Sequence, residues 1–66
     1  MHIQLNGDSH ELAAESTLLA LTDNLSLTGK RIAIEVNEEL VPRGEHASFT
    51  LSEGDKVEIV QAIGGG

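Results

Sequence analysis

The stretch RIAIEVNEELVP, residues 31–42, decides the fold. Ile32, Ile34 and Val36 alternate with Ala33 and Glu35, the period-2 pattern of a strand, and the β-branched side chains favour an extended backbone. The spacing predicts a central strand over Arg31 to Asn37, a turn through Asn37 to Glu39 and a brief strand at Leu40 and Val41. Pro42 stops that strand, because it has no amide hydrogen to give a ladder.

Upstream, His2 to Asn6 alternate again, with Ile3 and Leu5 on one side. Gly7 and Asp8 suit a two-residue turn that sets Leu5 opposite His10 and Ile3 opposite Leu12, leaving Ile3, Leu5 and Leu12 on one face. Ser16 or Thr17 can cap a helix. Leu18, Leu21 and Leu25 follow at helical spacing, with Leu19 widening the stripe, and the helix is expected to end near Asn24 or Leu25. A loop through Ser26, Thr28 and Gly29 leads to the strand at 31. Downstream, Arg43 to Leu51 is irregular. Glu53, Gly54 and Asp55 turn the chain into a final strand, Lys56 to Ile63, with Val57 and Ile59 facing one way and Glu58 and Val60 the other. The order strand, strand, helix, strand, short strand, strand predicts an α+β domain, a mixed sheet curled around one helix. It covers residues 1–63, and a flexible glycine tail, residues 64–66, follows.

Composition narrows what such a domain can do. A chain of 66 residues forms one domain, and its 39% apolar content is enough for a core. There are no cysteines, so disulfides, thiolate metal sites and thiol nucleophiles are excluded. The start, MHIQLNGD, shows no basic stretch followed by an apolar run, and no segment approaches the roughly 20 apolar residues needed to span a bilayer. A cytoplasmic protein is expected. Eleven acidic against four basic residues give a net charge of −7, which repels nucleic acid and anionic lipid surfaces and fits protein partners with basic patches. The same charge also serves solubility alone.

A search for an enzyme site finds little. His2, His10 and His46 have no metal-ligand spacing. His2 and His10 read as strand-end side chains, and His46 as a loop residue with a packing or contact role. Glu38, Glu39, Glu53 and Asp55 are turn residues without a pocket around them. Gly64 to Gly66 follow a strand rather than open a helix, so they cannot cradle a phosphate. They do end in the α-carboxylate of Gly66, and glycines without side chains can enter a narrow channel in extended form. Taken alone, the tail reads more readily as ordinary chain-end disorder than as a functional end.

The segments AIEVNEELVPRGEH and LSEGDKVEIVQAIGGG resemble the bacterial sulfur-carrier family of thiamin biosynthesis across residues 33–66. The matching features are Asn37 in its turn, Val41-Pro42-Arg43, the Gly54-Asp55 turn before an apolar strand, and the Gly-Gly end. At position 46 many such carriers have an aromatic residue, usually tryptophan, whereas this chain has His46. The resemblance implies the ubiquitin-like β-grasp fold. It also implies that an adenylating, E1-like activating enzyme uses ATP and magnesium, bound by that partner and not by this chain, to adenylate Gly66. A persulfide donor then displaces AMP, and the resulting C-terminal thiocarboxylate, a 1-thioglycine, gives its sulfur to a thiazole synthase.

On this reading the chain is a protein cosubstrate, not an enzyme, and a monomer on its own. Gly66 is the modified residue, Gly65 gives reach and clearance, and Gly64 lengthens the tether. Val60, Ala62 and Ile63 form an apolar strip for partner docking, and Arg43 pairs with an acidic partner residue or holds its own loop. The rival readings are the small subunit of molybdopterin synthase and a ubiquitin-like protein modifier.

Overall fold

A computed structural model of the chain describes residues 1–61. Strands β1 (His2–Leu5) and β2 (Asp8–Glu11) form a hairpin, followed by helix α1 (Leu18–Asn24), β3 (Ile32–Val36), β4 (Glu39–Val41), a short 3-10 turn (Arg43–Glu45) and β5 (Lys56–Gln61). The five strands make one sheet in the order β2-β1-β5-β3-β4. β5 runs parallel to β1 and antiparallel to β3, while both hairpins are antiparallel. This mixed sheet with a single helix on one face is the β-grasp arrangement expected from the element order. β3 is interior as anticipated, but the middle strand of the five is β5.

The first hairpin differs in register from the sequence expectation. Leu5 faces Asp8 and Ile3 faces His10, so the turn is Asn6-Gly7 rather than Gly7-Asp8. Asn6 and Gly7 have φ of 49° and 89°, and positive φ at both turn residues is what a type I′ hairpin requires. The slip is two residues, so side-chain parity survives and Ile3 and Leu12 remain buried on the same face. Asn37 and Glu38 repeat the device between β3 and β4, with φ of 52° and 71°. β4 therefore begins one residue early, at Glu39.

α1 has only seven residues, too few to persist alone, so packing and end contacts must hold it. Thr17 caps it by accepting the Ala20 amide at 3.1 Å. The amides of Leu18 and Leu19 donate to the carbonyls of Phe49 and His46 at 3.0 Å each, and the Leu51 amide donates to Ser16 at 2.8 Å. The irregular stretch after Arg43 is therefore what satisfies the first turn of the helix. Leu18 and Leu21 are fully buried and meet Ile3, Ile34, Val36, Val41, Leu51 and Val57 in one cluster. Thr22, also buried, donates to the Leu19 carbonyl at 2.9 Å.

Two asparagine side chains extend the ladder on β5. Asn37 accepts the Lys56 amide at 3.0 Å and donates to the Asp55 carboxylate at 3.1 Å. Asn6 accepts the Ile59 amide at 2.8 Å and donates to the Ile59 carbonyl at 3.3 Å. Asn6 thus continues the β1 edge by one more pair after the backbone has turned away. Replacing Asn6 with Ala removes both bonds and puts a Cβ-bearing residue without a local partner at positive φ, a loss of about 1–2 kcal/mol in urea unfolding. Asn6→Gly, which relieves the φ strain, should still lose about 1 kcal/mol and speed exchange of the Ile59 amide. Unchanged exchange of the Ile59 amide in Asn6→Gly, alongside wild-type stability, would show that the side-chain bonds contribute nothing.

Candidate functional site

The residues singled out from the sequence divide between two regions. Gly64, Gly65 and Gly66, together with Ala62 and Ile63 and hence the last two positions expected of the final strand, lie outside the described residues. Val60 and Arg43 lie within them. Val60 is 64% exposed on β5, on the opposite face from buried Val57, as strand alternation requires. Directly across on β3 is Ala33, and the next outward-facing pair is Glu58 with Glu35. Leu40 on β4 sits opposite Glu35 and is 65% exposed.

The outer sheet face therefore carries an apolar patch of Val60, Ala33 and Leu40 beside two carboxylates placed directly opposite each other. Like charges in that position weaken a sheet. Leu40, Glu35 and Ala33 were not singled out from the sequence. Their parity was legible, but their neighbours depend on the β3–β5 and β3–β4 register.

Arg43 opens the 3-10 turn after β4, and its Nη2 donates to the Lys30 carbonyl at 2.7 Å. The contact ties the 3-10 turn to the loop before β3, which is not the loop that carries Arg43 itself. His46 is buried, with Nε2 3.0 Å from the Val41 carbonyl. A carbonyl only accepts, so this nitrogen carries the proton. His46 packs the 3-10 turn against β4 instead of facing a partner. His10 is half-buried, and its Nε2 is buried without a hydrogen-bond partner. Among the described residues no three or more His, Cys, Asp or Glu side chains gather to hold a metal ion. No helix there is long and apolar enough to cross a membrane.

β5 is the element that organises this surface. It lies mid-sheet, is clamped at Lys56 by Asn37 and at Ile59 by Asn6, and pairs with β3 as far as Gln61 opposite Ile32. Whatever follows residue 61 thus starts from a fixed point at one end of the sheet.

Comparison with known proteins agrees with this geometry. The ThiS family model matches residues 3–66. The sulfur carrier protein ThiS of Escherichia coli (strain K12) is 30% identical over 66 residues, covering the whole of both chains. A thiazole synthase of Paramagnetospirillum magneticum is 38% identical over 66 residues, all of this chain but 20% of that protein. The chain thus spans about a fifth of the length of the thiazole synthases it matches. In the crystal structure of the thiamine biosynthesis protein (ThiS) from Geobacter metallireducens the same fold recurs with a TM-score of 0.85 at 26% identity, over the whole of both chains.

Proposed function

This chain belongs to the ThiS family, and we propose that it acts as a sulfur carrier for thiamin biosynthesis, holding sulfur as a thiocarboxylate on Gly66. The observation that carries this reading is that the family match extends from residue 3 through Gly66, so that domain and glycine end are matched together.

A free carboxylate resists nucleophiles. Its oxygen attacks the α-phosphorus of ATP held with magnesium by an E1-like partner, releasing pyrophosphate and leaving an acyl adenylate. Persulfide sulfur then attacks the acyl carbon and AMP departs. A second thiol takes over the sulfur–sulfur bond, freeing the thiocarboxylate, which passes sulfur to a thiazole synthase. Gly65 and Gly64 supply an unobstructed tether, and the chain itself is a cosubstrate.

The lack of cysteine makes the test direct. Incubation with the adenylating enzyme, ATP, magnesium and a persulfide donor should create a group that a thiol alkylator labels, mapped by peptide mass to Gly66. Peptide mapping is needed because exchanging oxygen for sulfur changes the intact mass nearly as Met1 oxidation does. Absence of labelling at Gly66, or recovery of Gly66 joined to lysines of other proteins, overturns the proposal.

A further inference from the structure

The chain has four basic residues against 11 acidic ones, and their placement is uneven. Lys30 and Arg31 precede β3, and Arg43 follows β4. β3 is antiparallel to both β4 and β5, so these three stand at the end of the sheet where β5 reaches Gln61 opposite Ile32. The fourth, Lys56, opens β5 at the other end, near the turn that carries Glu38.

Arg43 and Lys30 are both exposed and are linked by the contact between the Arg43 guanidinium and the Lys30 carbonyl. That contact fixes Arg43 while engaging only part of its donor set. The two residues border an open concavity of about 260 Å³ with Leu19, Ile32 and Ala47 in its wall. Small-molecule sites run to about 300–1,000 Å³ and are more enclosed, so this one suits a protein side chain. Asp23, which accepts the Thr28 hydroxyl, and Glu45 on the Arg43 turn are the neighbouring anions.

We propose that this end of the sheet, through Arg43 and Lys30, binds a carboxylate-bearing segment of the adenylating partner. The proposal rests on the carrier reading above. A partner that receives residues 62–66 must approach the end from which they follow. A chain with net charge −7 repels an acidic segment on the whole, whereas here two exposed cations meet it, and a guanidinium binds carboxylate with directional bonds. The charge asymmetry therefore orients the encounter, so that the glycine end is delivered first.

The test compares variants of the full chain that change net charge equally. Arg43→Glu and Lys30→Glu should each weaken binding to the adenylating enzyme about tenfold at low salt, with the gap closing at high salt. Lys56→Glu, at the far end, should bind as wild type. Equal weakening by all three variants would reduce the effect to bulk charge, and no weakening by Arg43→Glu and Lys30→Glu would remove it. Either result overturns the proposal. Thiocarboxylate formation is read separately by mass. If wild type is labelled at Gly66 while Arg43→Glu and Lys30→Glu bind normally, the contact fails and the carrier reading stands. If binding depends on Arg43 and Lys30 but Gly66 is never labelled, the carrier reading fails alone.

Discussion

Leu21→Ala is expected to cost about 3 kcal/mol, within the range of about 2–5 kcal/mol measured for buried leucines. A domain of 66 residues has in total only about 3–10 kcal/mol to lose. Leu21 is fully buried, in contact with the sheet through the cluster that includes Ile34 and Val57. α1 is a seven-residue helix that cannot persist without that packing. Removing the side chain therefore loosens the helix and, with it, the segment from His46 to Leu51 whose carbonyls the helix amides engage.

A domain of this size shifts in Tm by about 4–8 °C per kcal/mol, so thermal unfolding monitored by circular dichroism should fall by about 12–24 °C. Leu19→Ala is the control: Leu19 is 36% exposed and should cost less than about 1 kcal/mol. Equal losses at the two positions would mean that the buried face of α1 is wrongly assigned.

That face was legible from spacing alone, since Leu18, Leu21 and Leu25 recur with the helical period. The need to satisfy the first amides pointed to Ser16 or Thr17 as the cap, and the structure selects Thr17. β3 and β5 were legible for the analogous reason, period-2 alternation of β-branched residues. The first hairpin was not placed correctly, because Asn6-Gly7 and Gly7-Asp8 are both plausible turns in NGD. What separates them is the side chain of Asn6, which tolerates positive φ and then bonds to Ile59, a residue 53 positions away. No local pattern carries a contact of that range.

For His46 the sequence left packing and contact both open, and the structure gives packing. Its burial depends on the Val41 carbonyl being in reach, a property of the 3-10 turn and not of the residues beside it. The uneven placement of Lys30 and Arg43 was equally hidden, since they are 13 positions apart and meet only once β3 and β4 are paired. Interior elements are thus written in local periodicity, whereas the surface of this domain is written in register.

Gly65→Val should reduce the rate of thiocarboxylate formation about a hundredfold or more, the scale on which displacing a reacting group by about 1 Å acts. The fold should be unaffected. The core cluster runs from Ile3 to Val57, and both asparagine clamps act at or before Ile59, so unfolding transitions of variant and wild type should coincide. A β-branched side chain at 65 restricts backbone φ/ψ and adds bulk beside the reacting carboxylate, whereas glycine has neither constraint.

The distinguishing measurement is the split between binding and turnover. Gly65→Val should bind the adenylating enzyme with a Kd within a few-fold of wild type, because the proposed docking cations are intact, yet fail to progress to acyl adenylate, seen as lost pyrophosphate release. Arg43→Glu should show the converse, weaker binding with near-normal turnover once saturated. If Gly65→Val is adenylated at the wild-type rate, the glycine end is not threaded through a confined channel, and its lack of side chains needs another cause. If Gly65→Val loses binding and turnover together, the end contributes to recognition as much as to delivery, and the division of labour between the sheet end and the glycines does not hold.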